Sequence, residues 1–128
     1  MIIAVSMTQI VHKHCACCHK YTEHSEIFKW TYPPKYLVLA INRFAYFGNR
    51  TIKDNPCIPI QFNIQIDGFK FELAGIIDHH GGTARSGLYT STLFHNDSGY
   101  HCNDTRITNF PNFKTIDYAT AYILICKL

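Results

Sequence analysis

Charge is scarce in this sequence. Only 16% of its 128 residues are Asp, Glu, Lys or Arg, and the net charge is +3. That is too mild for electrostatic binding to nucleic acid or to a membrane surface, so neither is expected as a partner. Long apolar runs are also missing. The opening stretch MIIAVSM is too short for a transmembrane helix and lacks the basic segment of a secretory signal. It reads instead as a buried strand. Nothing repeats, no tract is of low complexity, and no linker divides the chain. One domain of modest size is expected, and an apolar content of 47% is enough to give it a core.

What is present needs explaining. There are six cysteines. Cys15, Cys17 and Cys18 crowd into one turn, whereas Cys57, Cys102 and Cys126 are dispersed among apolar neighbours. With no signal segment the expected compartment is reducing, cytoplasmic or nuclear, so a disulfide framework is not expected. Asn49-Arg50-Thr51, Asn96-Asp97-Ser98 and Asn103-Asp104-Thr105 match the N-glycosylation pattern. The pattern has no consequence in a cytosolic protein.

The texture is that of strands. Residues 11–31 are polar, rich in His and Cys, and read as irregular. Residues 36–41 form a nearly continuous apolar run, which predicts a strand covered on both faces. Ile58, Ile60, Phe62, Ile64 and Ile66 alternate with Pro59, Gln61, Asn63 and Gln65. That period of two predicts one strand with a single apolar face, and Pro59 places it at an edge. Asp67-Gly68 predicts a hairpin turn into a strand over residues 69–78. Gly81-Gly82 and Ser86-Gly87 bracket a loop. Further strands are expected over 88–95, 100–102 and 122–126, with a turn at Asn96–Gly99 and one helical turn over 115–119. The sum is a mostly β fold, of the α+β kind, with a twisted antiparallel sheet of about six strands.

Five blocks, in order, carry a resemblance. Cys15-Ala16-Cys17-Cys18 resembles one Cys-x-x-Cys of a zinc-binding finger. Residues 34–44, Pro-Lys-Tyr-Leu-Val-Leu-Ala-Ile-Asn-Arg-Phe, resemble a Pro-x-x-Leu strand that ends in Lys-Arg-Phe, with Asn42 in place of the lysine. Residues 69–79 lead into His79-His80-Gly81-Gly82 and then Gly87-Leu88-Tyr89, which resembles a His-x-Gly followed by Gly-His-Tyr. Residues 100–107 and 121–125 resemble the last two strands. Together these blocks are similar to the ubiquitin-specific proteases, papain-like cysteine deubiquitinases also called ubiquitin carboxyl-terminal hydrolases. The resemblance implies the C-terminal part of that catalytic domain, a single partial domain with a fingers remnant over 1–32 and a palm over 33–128.

The resemblance also implies site residues. Leu88 stands where the family has its general base, and a leucine cannot accept a proton from a thiol. Asn103 stands at the residue that orients that histidine, with Asp104 beside it. Without the imidazole, the plain reading of the pair is a turn. The loop bearing His79, His80, Gly81, Gly82, Gly87 and Tyr89 matches the segment that encloses the tail of ubiquitin. Glycines there would let an extended tail pass, or would simply form a glycine-rich hairpin. His79 and His80 lie about nine residues from Leu88, which reads as too remote for a substitute base. Cys102, Cys57 and Cys126 read as small core residues. Cys15 and Cys18 have ligand spacing for zinc but make only a half site, with His12, His14, Cys17 and His19 as nearby donors.

The nucleophile-bearing segment of the family has no counterpart in these residues. The expected function is therefore a deubiquitinase-like fragment, inactive on its own, that binds ubiquitin or a ubiquitin-like protein. Two alternatives stand beside it. One is a part of an active or split cysteine deubiquitinase whose cysteine box lies outside this chain. The other is a non-functional remnant.

Overall fold

The computed structural model describes the backbone of residues 7–111 and 116–128, and the side chains of 8–109 and 119–128. The described residues hold thirteen strands and no helix. β1 (Met7–His14) and β2 (Tyr21–Phe28) form a separate ribbon. β3 (Tyr36–Ala40) is followed by a second ribbon of β4 (Phe44–Phe47) and β5 (Arg50–Lys53). After β6 (Ile58–Ile60) and β7 (Asn63–Ile66) come the long β8 (Phe69–Thr83) and β9 (Ser86–His95). The chain closes with β10 (Ser98–Asn103), β11 (Arg106–Pro111), β12 (Ile116–Tyr118) and β13 (Ala121–Lys127). The principal sheet has seven strands, in the order β11-β10-β9-β8-β13-β3, with β7 added to β8. β12 pairs with β6 in a third ribbon, and every pairing is antiparallel.

Tight turns set this order. Asp67 (φ 50°) and Gly68 (φ 83°) are both left-handed between the paired Ile66 and Phe69. Asn96 (φ 47°) and Asp97 (φ 58°) repeat that geometry between His95 and Ser98. Two left-handed residues twist a two-residue loop the way its strands twist, and Asn, Asp and Gly tolerate them best. Both turns were legible in the sequence, although β10 already begins at Ser98 rather than after Gly99.

The core lies on one face of the sheet. Phe71, Leu73, Ile76, Leu124 and Cys126 meet Ile60, Ile64 and Ile66 there. Trp30 closes edge-on against Phe71, with ring centroids 5.8 Å apart, and Phe62 against Phe94 at 4.8 Å. Each fully buried side chain of this kind contributes about 1.5–3 kcal/mol of transfer free energy.

Several expectations are corrected. The polar stretch 11–31 contains most of a regular hairpin, paired from Met7↔Phe28 to His14↔Tyr21. Cross-strand pairing does not need an apolar pattern when both faces are open. Among the described residues β3 is an edge strand, paired with β13 alone. Its Leu37 and Leu39 reach the core, but Val38 is 63% exposed, so one face is uncovered. The alternating stretch 58–66 is two strands, because β6 turns to β12 while β7 turns to β8. Its period survives, with Ile60, Ile64 and Ile66 all buried. Residues 116–118 are strand rather than helical turn, and Thr115 lies outside the described residues. The opening strand expected over MIIAVSM also lies outside them, apart from Met7, which starts β1.

Candidate functional site

The β8–β9 hairpin folds the marked residues together. Its ladder sets Asp78 opposite Thr90, His79 opposite Tyr89, and His80 opposite Leu88. Directly opposed residues share a face and neighbours alternate. Asp78, His80, Leu88 and Thr90 therefore lie on one face, and His79 and Tyr89 on the other. This corrects the expectation that both histidines are remote from position 88. Eight residues of separation close into one cross-strand pair, His80 with Leu88. The imidazole Nε2 of His80 stands 2.9 Å from the Thr90 hydroxyl. Leu88 is 47% exposed beside it.

His79 is held on every side. Its ring is 1% exposed and packs against Phe44 at 5.5 Å, Tyr89 at 5.0 Å and Tyr122 at 6.1 Å between centroids. Its backbone N–H donates to the Thr120 carbonyl at 3.0 Å. Its own carbonyl accepts from the Lys53 ammonium at 2.6 Å. The ring nitrogen Nδ1 is buried and has no partner among the described residues. Burial, then the charges of Lys53 and His80, push the imidazole below the usual histidine range. Lys53 is likewise pushed down, by burial and by Arg43. Arg43 is itself buried and donates from Nε to the Ala121 carbonyl. Asp78, also buried, accepts from the Thr120 hydroxyl at 2.9 Å.

The glycines divide by cause. A Cβ on Gly87 would collide with His79 Nε2 and stand 2.7 Å from the His80 carbonyl oxygen. A Cβ on Gly81 (φ 149°) would stand 2.8 Å from the Ser86 carbonyl. Those two are small because the hairpin's own atoms fill the space. Gly82 faces open space, so it alone of the three is left to a passing chain. His79 is enclosed, whereas Tyr89, 54% exposed, and half-buried His80 remain presentable.

Asn103 ends β10 and pairs with Arg106, and Asp104 (φ 50°) opens the turn between them. Cys102 is opposite Ser91. Alternation then puts Asn103 on the face of Thr90 and Leu88, and Cys102 on the other face. Cys102 Sγ is half-buried and directed to the Tyr100 carbonyl at 3.8 Å. Cys126 is buried, and burial pushes its thiol up to about 11. Cys57, expected in the core, is exposed, because it precedes β6 in a loop.

Cys15, Cys17 and Cys18 sit at the far tip of the β1–β2 ribbon. Cys15 N–H donates to Lys20 O at 2.8 Å and His19 N–H to Cys15 O at 2.9 Å, with His19 left-handed at φ 54°. The backbone N–H groups of Cys18 and Cys17, with the Cys18 thiol, hold the Cys15 thiol below its usual range. Such a nest favours a thiolate, the form that binds metal. Zinc needs four ligands. Among the described residues no three His, Cys, Asp or Glu side chains converge as a metal site. The rings of His14 and His19 lie tilted to each other, 6.4 Å between centroids. The residues present fit one half of a zinc site.

Lys53 and Thr120 were not singled out in the sequence, and Phe44 and Tyr122 entered only as parts of the blocks over 34–44 and 121–125. None carries a local pattern that marks it as a neighbour of His79.

Comparison with known proteins gives a consistent picture. The family model of the ubiquitin carboxyl-terminal hydrolases matches residues 3–125. Mouse ubiquitin carboxyl-terminal hydrolase 3 is 31% identical over 102 residues, 79% of this chain and 19% of that protein. The human protein of the same name is 28% identical over 123 residues, 86% of this chain and 24% of that one. Among solved structures, the Ubp8/Sgf11/Sus1/Sgf73 SAGA DUB module bound to monoubiquitin shares the fold with a TM-score of 0.72 at 20% identity. The match covers 95% of this chain and 30% of that one. A further structure of that module gives 0.65 at 22% identity, over 91% and 28%. The chain thus spans about a quarter or less of the curated relatives it matches.

Proposed function

The chain belongs to the ubiquitin carboxyl-terminal hydrolase family, and from that premise we propose that it is a ubiquitin-binding pseudoenzyme module with no hydrolytic activity of its own. One observation carries the reading. By its sequence resemblance Leu88 takes the place that the family gives to its base; it stands half-exposed near the end of the β8–β9 ladder, and Cys102 lies on the opposite face. A thiol on the wrong face of a sheet cannot be activated by a group at that slot. Loss of the base alone costs a triad enzyme roughly a million-fold in turnover.

Binding is the function that remains. Tyr89 and His80 are presentable and Gly82 has open space beside it. An extended Gly-rich tail fits where the walls lack side chains. That a related fold is solved with monoubiquitin bound supports ubiquitin as the kind of partner. A zinc ion at Cys15 and Cys18 would steady the ribbon tip if two further ligands came from outside the described residues.

The test has two arms. An electrophilic probe on the C-terminus of ubiquitin should leave the chain unlabelled, because labelling needs an activated thiol. Addition of the chain to isotope-labelled ubiquitin should shift the tail amides, and Gly82→Trp should weaken that shift. Labelling at any cysteine sinks the inactive reading, and unmoved ubiquitin amides sink the binding one. A second reading is favoured by the share of the relatives that this chain spans. It makes the module one part of a catalytic unit whose nucleophile is elsewhere. Under it, Leu88→His regains turnover only in the presence of a thiol-bearing partner.

A further inference from the structure

The enclosure of His79 suggests a role beyond packing, and the inference rests on the ubiquitin-binding reading. Its ring fills the space where Gly87 lacks a side chain, so the start of β9 lies directly on the imidazole. Tyr89 packs against the same ring from the ladder position opposite. Lys53 on the carbonyl and Thr120 on the N–H pin the backbone of His79 from two other parts of the fold. The Gly87–Tyr89 segment thus rests on this one side chain as well as on its ladder to β8.

That side chain is suited to the neutral state only. Nδ1 is buried without a partner. Around the ring stand Phe44 from β4, Tyr89 from β9 and Tyr122 from β13, while Lys53 from β5, under the charge of Arg43, holds the backbone carbonyl of the same residue. On its own strand, His80 is on the other face and the carboxylate of Asp78 is engaged by Thr120. Among the described residues no carboxylate forms an ion pair with His79; the one histidine that does is His12, with Glu23. A second proton would bring a charge into an aromatic enclosure, beside an ammonium, with an N–H that has nothing to receive it.

We propose that His79 is a positioning residue whose neutral imidazole seats the Gly87–Tyr89 end of β9 for the ubiquitin tail, and whose protonation releases that end and weakens binding. The ring touches no ligand itself. It acts through Gly87 and Tyr89, which makes ubiquitin binding by this module stronger at neutral than at acidic pH.

The experiment follows the chain's own amide signals and its ubiquitin affinity from about pH 7.5 to about pH 5, the span in which histidines change charge. The Gly87, Leu88 and Tyr89 amides should move in step with the His79 ring. Ubiquitin affinity should fall about tenfold per pH unit once protonation sets in, because the competent fraction falls in that proportion. His79→Phe keeps an aromatic ring in the slot and removes the proton, so binding should persist at low pH and both steps should vanish. His95→Gln, at an exposed histidine far along β9, should keep both. The proposal is overturned if the β9 amides stay fixed while the His79 ring titrates, or if His79→Phe retains the pH step. Absence of ubiquitin binding at every pH would sink the reading on which this rests, and the amide titration would still decide the positioning role.

Discussion

The β1–β2 ribbon and the β8–β9 hairpin are built from the same local device, and they differ in almost everything that follows from it. Both are antiparallel pairs, closed by residues 15–20 in the ribbon and by residues 84–85 in the hairpin. The ribbon pairs eight residues on each side, yet Ile10 is 62% exposed and its cross-strand ties are surface contacts such as Lys13–Glu26 at 2.7 Å. The β8–β9 hairpin is flanked by β13 and β7 on one side and β10 on the other, and buries Asp78, His79, Thr90 and Thr92. Hydrogen-bonded pairing sets where residues meet. Burial decides how firmly they are held and what their protonation costs. The ribbon presents thiols and imidazoles to solvent. The hairpin encloses His79 and leaves His80 half-buried.

Substitutions can break this contrast or sharpen it. The largest effect is expected at Phe71, buried beneath Trp30 in the sheet. Phe71→Ala should lower unfolding free energy by about 3–5 kcal/mol in denaturant titration, against about 0.5 kcal/mol or less for Ile10→Ala in the ribbon. Equal losses would show that the two regions unfold as one unit with one core. Gly87→Ala comes next. Its methyl group meets His79 and the His80 carbonyl, and overpacking of this sort costs about 1–3 kcal/mol. Gly82→Ala, into open space, should cost far less. Matching losses would refute the assignment of Gly87 to hairpin packing.

Acid should separate the regions further. His79 titrates below its unfolded value, so the unfolded chain takes up the proton first. Stability is complete above the ordinary histidine pKa of about 6.5. It is lost as pH falls from there towards the folded value, by at most about 1.4 kcal/mol per pH unit. Melts recorded across that range should show the slope for the native chain and lose it in His79→Phe. The smallest effect belongs to the ribbon. Lys13→Ala removes a part-exposed ion pair and should cost under about 1 kcal/mol, less in high salt.

Much of the fold was legible because it is encoded locally. Asp67-Gly68 and Asn96-Asp97 form left-handed turns that few other residues tolerate, and the period of two over 58–66 named the buried isoleucines. The ribbon over 7–28 was not legible. Its few apolar residues, such as Ile10, Val11 and Ile27, fall on both faces without a period of two, so pairing left no trace in hydrophobic pattern. The open face of β3 was missed for the opposite reason, since a continuous apolar run cannot say whether a neighbour covers it. At the candidate site, the motif marked His79, His80, Gly87, Leu88 and Tyr89, but treated sequence separation as distance.

The sequence by itself determined the family, through five blocks in register, and the identity of the residue at position 88, whose chemistry no fold can restore. Only the tertiary structure decided the roles around it. It paired His80 with Leu88, turned Cys102 to the far face, and set His79 where a side chain on Gly87 would stand. The physical reason is that side-chain chemistry is a property of one residue, whereas face, burial and protonation are set by residues that arrive from elsewhere in the chain, such as Lys53, Thr120 and Tyr122.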